Sequence, residues 1–489
     1  MTTLGIELSD VGISCVQLKE DGNSASVKLG VQSDHFPAYA LAANGTYVFG
    51  AKAQSVSRIY PRRVCSEFLD NISFQTLKLD GAAGRITYSQ LAHKFVGELV
   101  TRIRVHCDEI DRIIVAVPGN YLESDEKSEE RLGLLLAILQ DYDLPLAGII
   151  DLAAASLYSD GLGTVPEGDS VFHVDLLLHA TNITVFNKRA GLQRVYFSHQ
   201  PQRGFAKMLE RFSGALANRF LKHTAFDITE DRQIEQAFHA QTNDMLFNLG
   251  QIEEASIEVT TKDISRHMSI TRDSVSLDLA PQVKLLTQTL LRAINDFGRE
   301  SSRVQIILSH RAAAVHGLKE SIQAQDVGHV RELPVESAAF GAANLGKNWA
   351  VCENVETVRV ETGIAQPNLM NDGSDEARFS LCSISLIKKG KSLAPSHIVC
   401  DGLAYELVED GFIIGLGESE RFHLVVDRHG LGEPGELARL VKKNERWVLV
   451  EKSSESVDVD SLSGVRAGDE IEVTIRGRRK KLLLIHCMQ

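Results

Sequence analysis

A pair of strands that occurs twice in the chain is the feature that most limits its fold. The first pair, residues 4–8 and 13–18, is joined by a short turn from Ser9 to Gly12. The second pair, residues 171–175 and 181–186, follows about 170 positions later. Apolar residues dominate or alternate in these segments, which is typical of strands. The repeat predicts a weak internal duplication in which each half begins with a β-hairpin.

Helices and further strands are predicted after each hairpin. Apolar residues recur at helical spacing in several segments, and each such segment is amphipathic. In chain order, these segments and the apolar strands beside them are helix 90–106, strand 112–118, helix 131–140, strand 147–151, helix 205–220, helix 283–297 and strand 304–308. Strands that alternate with helices in this way predict an α/β core.

The pattern changes from about Val358. Short alternating segments such as Trp447–Val450 replace the helical spacing, and turn residues cluster between them. This pattern predicts a smaller all-β sandwich over residues 358–489. We expect a domain boundary between Gly346 and Val358. Residues 362–377 contain Asn, Asp, Gly and Pro and are expected to form a mobile loop.

The composition argues against several classes of protein. A chain of 489 residues with 44% hydrophobic and 24% charged residues is ordinary for a folded protein of more than one domain. The net charge of −13 argues against a nucleic-acid partner, and we interpret the basic run Arg476–Lys481 as a solvated strand end. Seven cysteines without a Cys-x-x-Cys motif predict neither a disulfide framework nor a zinc site. No apolar run approaches the ~20 residues that span a bilayer, so we expect no membrane span and a cytoplasmic location.

Several segments, taken in order, resemble those of a known superfamily. They are Gly5–Val16, Arg112–Tyr121, Ile150–Leu157, Val171–Val185, Ile306–Glu320 and Pro334–Ala343. These segments are similar to the phosphate hairpins, connecting segments and adenosine segment of the actin-like ATPases, especially the DnaK-type, seventy-kilodalton heat-shock chaperones. The resemblance implies an actin-like, duplicated two-lobed fold over residues 1–350, with lobe I at about 1–170 and lobe II at about 171–350.

Both hairpin loops depart from this family at its phosphate-binding glycines. Glycine lets backbone N–H groups approach phosphate oxygens, which a Cβ prevents. In the first loop, Ser9 and Asp10 stand where the family has Gly followed by Thr or Ser, and an ionised Asp10 would repel a polyanion. In the second loop, Leu177–His179 replaces three glycines and Ala180 replaces the first Thr. Neither loop therefore retains the family's phosphate cradle.

The adenosine segment is altered as well, because His310 and Arg311 replace the Gly-Gly pair against which the nucleoside packs in the family. The degenerate nucleotide cleft that the resemblance implies comprises Ser9, Asp10, His179, Thr181, His310 and Arg311. Phosphoryl transfer depends almost wholly on positioning and charge stabilisation. We therefore do not expect an efficient ATPase.

Three acids occupy positions that carry catalysis in the family. Glu7 and Asp175 stand where the family holds magnesium through waters, and Asp151 stands where an acid helps to position the attacking water. A magnesium ion with several waters would suit such carboxylates, and ATP or ADP with magnesium is the cofactor that the resemblance implies. The other interpretation is that these acids are remnants at solvated strand ends and that the chain holds no cofactor.

Two interpretations are also open for the new basic residues of the cleft. His179, His310 and Arg311 could form a cationic pocket for an anionic ligand. Alternatively, they fill the old cleft by pairing with Asp10 or Asp175. The second interpretation predicts a cleft that is closed by the chain's own side chains.

The C-terminal part resembles a forkhead-associated (FHA) sandwich. The segments that carry the resemblance are Gly411–Gly415, Trp447–Val450 and Val465–Val473. That family binds phosphothreonine with an Arg, a Ser and an Asn. Here Leu416 and Gly435 stand at or near the first two of these positions, and the acids of Glu455–Asp460 stand near the third. Acidic loops repel phosphate, so phosphopeptide binding is not expected. The substrate-binding sandwich of the chaperones is the competing resemblance, but its lead-in segment and helical lid are missing.

Three functions from different classes follow from these patterns. The first is a pseudo-ATPase adaptor or scaffold that binds other proteins, with nucleotide binding weak or lost. The second is an ATP- or ADP-regulated chaperone with a remodelled pocket, in which Glu7, Asp175 and Arg311 act together. The third is an enzyme of the same fold, such as a sugar or acyl kinase, for which the sequence has no substrate signature.

Overall fold

The computed structural model describes residues 1–30, 33–107, 109–159, 165–166, 168–188, 191–248, 253–261, 264–298, 303–352, 358–365, 382–387, 394–400, 403–407, 412–416, 422–427, 435–443, 446–451, 465–467, 469–475 and 478–485. The chain divides into two compact units, Met1–Ile364 and Ala365–Gln489. Each unit has its own apolar core.

The first unit is a mixed α/β structure, as its sequence pattern predicts. Its strands are β1 (Thr2–Leu8), β2 (Gly12–Lys19), β3 (Ser24–Ser26), β4 (His35–Pro37), β5 (Ala40–Ala43), β6 (Thr46–Phe49), β7 (Val64–Cys65), β8 (Thr76–Leu77), β9 (Ile86–Thr87), β10 (Arg112–Val117), β11 (Leu146–Asp151), β12 (Ser170–Leu176), β13 (Ala180–Lys188), β14 (Gly191–Pro201), β15 (Glu254–Thr261), β16 (Ile264–Thr271), β17 (Val304–Leu308), β18 (His329–Glu332), β19 (Arg359–Glu361) and β20 (Ile364–Ala365). Its helices are α1 (Ala51–Gln54), α2 (Tyr88–His106), α3 (Glu126–Asp141), α4 (Leu152–Ser159), α5 (Phe205–Thr224), α6 (Arg232–Asn248), α7 (Arg272–Phe297), α8 (His310–Ala313), α9 (Leu318–Gln323) and α10 (Ser337–Gly346). None of these helices combines the length and the apolar character that a bilayer span requires.

The two large sheets of this unit share one strand order. In the first sheet, β1 lies between its antiparallel hairpin partner β2 and the parallel strand β10, which is followed by β11. In the second sheet, β12 lies between its antiparallel partner β13 and the parallel strand β17, which is followed by β18. The third strands, β3 and β14, extend the two hairpins in the same way. The strand order is thus repeated, in agreement with the repeated hairpin in the sequence.

Two short helices rich in small residues, α4 and α10, lie against each other, and α10 also lies against β1. A Cβ on Gly341 of α10 would overlap the carbonyl oxygen of Ala155 on α4. A Cβ on Gly5 of β1 would likewise overlap the carbonyl oxygen of Ala339 on α10. Only glycine lets these backbones approach so closely, because any side chain would push the elements apart. The small residues of α4 and α10 therefore set a tight contact at the centre of the unit.

The boundary of the first unit falls later in the chain than the sequence pattern predicts. The expected boundary lies between Gly346 and Val358, but β19 pairs in parallel with β11 and the unit continues to Ile364. The physical reason is that β11 has an unpaired edge that this short extended segment completes. The sequence pattern predicts a mobile loop over residues 362–377. Residues 362–365 lie in β20 or just before it, and residues 366–377 lie outside the described residues.

The described elements of the second unit are strands. They are β21 (Cys382–Ile387), β22 (His397–Cys400), β23 (Leu403–Glu406), β24 (Phe412–Leu416), β25 (Leu424–Asp427), β26 (Gly435–Lys443), β27 (Arg446–Glu451), β28 (Glu470–Ile475) and β29 (Arg478–Ile485). They form one sheet in the order β21-β28-β29-β22-β23 and another in the order β25-β24-β26-β27. Apolar side chains of both sheets, among them Phe412, Trp447 and Leu482, share one buried cluster.

Replacing Gly5 by Ala is expected to destabilise the first unit by about 1–3 kcal/mol, because the new methyl group meets backbone atoms of α10 that cannot move aside. Urea unfolding followed by circular dichroism measures this loss. The matched control is Gly133→Ala on the exposed face of α3, where nothing lies within 4 Å of the new Cβ. The control should gain about 0.5–1 kcal/mol from reduced backbone entropy. Equal effects of the two replacements would contradict the close packing of α10 on β1.

Candidate functional site

The loops of the two hairpins meet in the first unit. Each loop has two residues, Asp10–Val11 between β1 and β2 and Leu178–His179 between β12 and β13. Ser9 and Gly12 close the first loop with two reciprocal backbone hydrogen bonds of 3.1 Å. Gly12 has a φ of +148°, and a Cβ there would overlap the carbonyl oxygen of Phe36. Glycine is therefore required at the end of this loop, although the glycine that the resemblance expects at its start is replaced by Ser9.

The Asp10 carboxylate joins the two loops. One of its oxygens accepts a hydrogen bond of 3.0 Å from the backbone N–H of Leu178, and the other accepts one of 2.8 Å from the backbone N–H of His179. The Asp10 side chain is buried. Successive backbone N–H groups in a tight loop form a concave site for anions. In this protein the anion at the second loop is a carboxylate of the chain itself.

Burial and neighbouring charges shift the pKa of the Asp10 carboxyl group. Burial and the nearby Asp70 carboxylate raise the pKa of Asp10 to about 6, against the opposing effects of the His179 charge and of the two backbone hydrogen bonds. Because an unfolded Asp has a pKa near 3.8, the folded chain binds a proton at Asp10 more tightly than the unfolded chain does. This proton contributes stability below about pH 4, and the contribution is lost as the pH rises through about 6.

Arg311 joins the two sheets at the base of the hairpins. Its Nη1 donates to Glu7 on β1 at 2.6 Å, and its Nη2 and Nε donate to the two oxygens of Asp175 on β12 at 2.9 and 3.2 Å. The pairing with Asp175 is bidentate, which fixes the plane of the guanidinium as well as its position. Ser309 caps the short helix α8 by accepting a hydrogen bond of 3.2 Å from the N–H of Ala312. All three charged groups are buried.

The charges of this ion-pair network stabilise one another. Burial alone would raise the pKa of Asp175, but the Arg311 charge, the nearby His173 and the hydrogen bonds from Arg311 and Ser309 outweigh it and lower the pKa to about 2. Burial likewise opposes the charge of Arg311, yet Asp175 and Glu7 raise the pKa of the guanidinium. The contribution of Asp175 to stability is therefore present above about pH 4 and is lost as the pH falls towards 2.

Asp151, the third acid of the sequence prediction, is paired with a different arginine. One oxygen of this buried side chain accepts a hydrogen bond of 2.7 Å from Arg194 on β14, and the other accepts one of 2.8 Å from the N–H of Ala153. Arg194 also donates to Glu123 at 2.7 Å. Because its hydrogen bonds go to protein groups, Asp151 does not lie open to a water molecule in this arrangement.

The two small hydroxyl residues of the predicted cleft lie within hydrogen-bond distance of backbone carbonyl oxygens. Ser9 Oγ lies 3.4 Å from the carbonyl oxygen of Gly12. Thr181 Oγ1 donates a hydrogen bond of 2.6 Å to the carbonyl oxygen of Arg203. Both residues are buried. Each hydroxyl therefore has an internal partner rather than one in an open cleft.

The two histidines of the predicted cleft differ from the cationic pocket considered above. Burial and the Arg311 charge lower the pKa of His310 to about 4, so its imidazole is neutral at pH 7. His179 Nε2 lies 3.0 Å from Ser66 Oγ, within hydrogen-bond distance. Because Arg311 is already paired with two acids, neither Arg311 nor His310 presents free positive charge to an anionic ligand.

A magnesium ion does not fit between Glu7 and Asp175 in this arrangement. The guanidinium of Arg311 lies between the two carboxylates and already forms charge-assisted hydrogen bonds with both. Within the described residues there is no group of three or more His, Cys, Asp and Glu side chains arranged to hold a metal ion. The cation at this site is therefore a side chain.

Further contacts join residues that precede β7 to helix α6, away from the two hairpin loops. The backbone N–H of Arg58 donates to Gln236 on α6 at 2.8 Å, and the Arg58 guanidinium lies 3.1 Å from His239 Nε2. Burial and the Arg58 charge lower the pKa of His239 to about 4, which suits a neutral acceptor. The segment before β7 and helix α6 are thus linked directly, in addition to the two hairpin loops.

Three residues of this site were missed by the sequence prediction. Arg194 pairs with Asp151, Ser66 contacts His179, and His173 lies buried near Asp175. Their positions depend on strand pairing and on contacts between distant segments, for which the sequence has no local signal. One general signal exists for Arg194, because a buried carboxylate such as Asp151 requires a cationic or hydrogen-bonding partner.

No protein-family model matches the chain, and no curated protein is significantly similar to it in sequence. The fold and the site themselves define a mixed α/β unit with two hairpins joined by internal ion pairs, followed by a second unit whose described elements are strands.

Replacing Arg311 by Ala is expected to cost about 3–5 kcal/mol at pH 7, because Glu7 and Asp175 would remain buried without their cation. The loss should shrink at acidic pH, where protonation removes the uncompensated charges. Urea unfolding at pH 7 and pH 4.5 measures both effects. The control is Arg211→Ala on the exposed surface of α5, which should change stability by less than about 0.5 kcal/mol. An Arg311→Ala variant as stable as the control would refute the network.

Replacing Asp10 by Asn is expected to change how stability depends on pH. The Asn side chain has one acceptor oxygen and one NH₂ group that only donates. One of the backbone N–H groups of Leu178 and His179 would therefore face this NH₂ group and lose its hydrogen bond. The wild-type advantage over the variant should fall by roughly 2–3 kcal/mol from pH 4 to pH 7, since only the wild type binds the extra proton. Unfolding free energies across this range test the prediction.

The matched control is Asp80→Asn, which makes the same change of charge at an exposed position. Parallel pH curves for the wild type and Asp10→Asn would show that Asp10 does not titrate in this window.

Proposed function

We propose that this protein is a catalytically degenerate relative of the actin-like, heat-shock-chaperone ATPases that acts as a protein-binding adaptor or scaffold. In this proposal the first unit keeps the architecture of the nucleotide-binding fold but not its nucleotide. The position of the phosphates is taken by the Asp10 carboxylate, and the position of the magnesium ion is taken by the Arg311 guanidinium.

The fold supports the relationship in two ways. The strand order of the first sheet is repeated in the second, with a hairpin, a third antiparallel strand and two parallel strands in each. Helices α4 and α10 coincide with the segments that resemble the family's two connecting helices, and they pack directly on each other through Gly341. Both features are expected of a duplicated actin-like fold, which is why we propose that assignment.

The single observation that carries the proposed function is the internal network of Asp10 and Arg311. Asp10 accepts hydrogen bonds from the two backbone N–H groups that a phosphate would otherwise use. Arg311 neutralises the two carboxylates that would otherwise attract magnesium. A nucleotide would therefore have to displace a buried carboxylate and a buried ion pair from their internal partners.

The second unit enters the proposal as a separate module. We propose that its two sheets form a β-sandwich of FHA-like type, because side chains from both sheets share one buried cluster. In this proposal it is a structural or protein-binding module, because the residue after Gly415 is Leu416 instead of the family's phosphate-binding Arg. The acidic segment 455–460, which bears on phosphate binding, lies outside the described residues.

The experiment is thermal unfolding of the whole protein with and without millimolar Mg-ATP or Mg-ADP. A ligand at about one hundred times its dissociation constant adds ~2.7 kcal/mol of stability, which raises the melting temperature by several degrees. We expect no shift with either nucleotide. A DnaK-type chaperone run in the same buffer shows that the assay detects binding.

A clear shift would overturn the proposal and favour the nucleotide-regulated chaperone. Loss of that shift in Asp175→Ala, but not in the exposed control Asp80→Asn, would then assign the binding to this cleft.

A further inference from the structure

A groove of about 790 Å³ on the first unit lies among four segments that the proposed function has not used. It is bordered by the β5–β6 hairpin, the residues leading into β9, and the helices α2 and α3. Tyr47, Phe49, Leu134 and Ile138 contribute apolar surface to its lining. A volume of this size is typical of ligand sites in proteins. We call it the hairpin groove; none of its lining residues takes part in the Asp10 or Arg311 contacts.

One border of the hairpin groove is the edge of a small sheet. The order of that sheet is β6-β5-β7, so within the described residues no strand pairs with the outer edge of β6. The N–H of Gly50 donates to Tyr39 at 3.0 Å, beyond the last pair of β5 and β6. Hydrogen-bonding direction alternates along an antiparallel pair. Tyr47 and Phe49 therefore direct their backbone N–H and C=O groups away from β5, towards the free edge.

The two residues with outward backbone groups are also aromatic. The rings of Tyr47 and Phe49 stack with centroids 6.4 Å apart, and Phe49 makes an edge contact with the buried Phe95 at 5.7 Å. Both aromatic side chains are half-buried. Large aromatic surfaces anchored on a core in this way are favourable contact points for a partner's side chains.

The charge at the rim of the groove is predominantly positive. Arg85 and Lys94 both line the groove and are exposed. Asp141, an acid of the same lining, lies 3.3 Å from His93 and so already faces a local basic group. Complementary charge at a rim guides and orients a partner more than it strengthens the final complex. A partner with acidic side chains suits this rim.

We propose that the hairpin groove binds an extended peptide segment of another protein, which adds to β6 as a further strand. The N–H and C=O groups of an extended segment would form hydrogen bonds with the backbone groups on the free edge of β6. Its alternate side chains face the groove, so apolar residues at every second position would contact Tyr47, Phe49 and Ile138. Acidic residues at further positions of the same alternate set, beside the apolar ones, would contact Arg85 and Lys94. This inference names a partner chemistry for the proposed adaptor but does not depend on the closed cleft.

The probe is the fluorescein-labelled, amidated heptapeptide Glu-Ser-Val-Ser-Val-Ser-Glu, here called the Val-Glu peptide, in which all Val and Glu side chains lie on one face of an extended strand. It is titrated with the whole protein and followed by fluorescence anisotropy. Two comparison peptides replace either every Glu by Lys or every Val by Ser. We expect the Val-Glu peptide to bind at least tenfold more tightly than either comparison peptide. Equal binding of the Val-Lys peptide, or no binding of the Val-Glu peptide at millimolar protein, would overturn the proposal.

Two variants locate the binding on the protein. The double variant Arg85→Glu with Lys94→Glu should weaken binding of the Val-Glu peptide by about tenfold. The matched control, Lys222→Glu with Lys284→Glu, reverses two exposed charges outside the groove and should bind like the wild type. Thermal unfolding checks that both variants remain folded. Equal binding by both double variants would exclude the hairpin groove as the site.

N-methylation of the peptide tests strand addition itself. In a strand, alternate amides point to the same side, so methyl groups on one alternate set should abolish binding and those on the other set should leave it intact. Equal effects of the two sets would contradict pairing with β6. Because these assays contain no nucleotide, their outcome is separate from that of the Mg-ATP experiment. The peptide can fail to bind while the protein also shows no shift with nucleotide, and the peptide can bind while nucleotide does shift the melting temperature.

Discussion

The pairing of Arg311 with Glu7 and Asp175 is the interaction on which the rest of the first unit depends. Glu7 is on the first strand of one sheet and Asp175 is on the first strand of the other, so a single guanidinium fixes the distance between the two. Burying three charges is costly unless each has partners in good geometry, and here the bidentate contact with Asp175 supplies that geometry. The Asp10 contact with Leu178 and His179 then holds the two hairpin loops together above it.

Under the proposed function, this arrangement explains why the glycines that the family resemblance expects are absent. A glycine-rich loop leaves its N–H groups free for a ligand, whereas here one loop supplies the anion that satisfies the N–H groups of the other. Similarly, the Arg311 guanidinium on α8 supplies the positive charge that the two strand acids Glu7 and Asp175 require. The charged side chains at these positions thus each have complementary partners within the chain. Under the proposed function, they convert a ligand site into a structural contact.

The hairpin groove differs from the predicted nucleotide cleft in whether its backbone groups already have partners. In the cleft, backbone N–H groups and charges have internal partners, so an incoming ligand would have to break existing interactions. Along the outer edge of β6, within the described residues, no strand satisfies the backbone of Tyr47 and Phe49, and basic side chains lie nearby. An incoming strand would therefore form hydrogen bonds there without first displacing protein groups.

The sequence by itself determined the local elements and the residues of the site. Alternating and helical spacing predicted the hairpins and the main helices, and strand 304–308 coincides with β17 residue for residue, because these patterns depend only on which side chains must be buried. The sequence also selected Asp10, Asp175 and Arg311, but it left open whether they bind a ligand or other groups of the chain. Only the tertiary structure decided this, along with the partner of Asp151 and the edge strand β19, because such pairings join segments that lie far apart in the chain. Periodicity records the face that a residue presents, whereas an ion pair depends on the distance between two folded segments, which no local pattern contains.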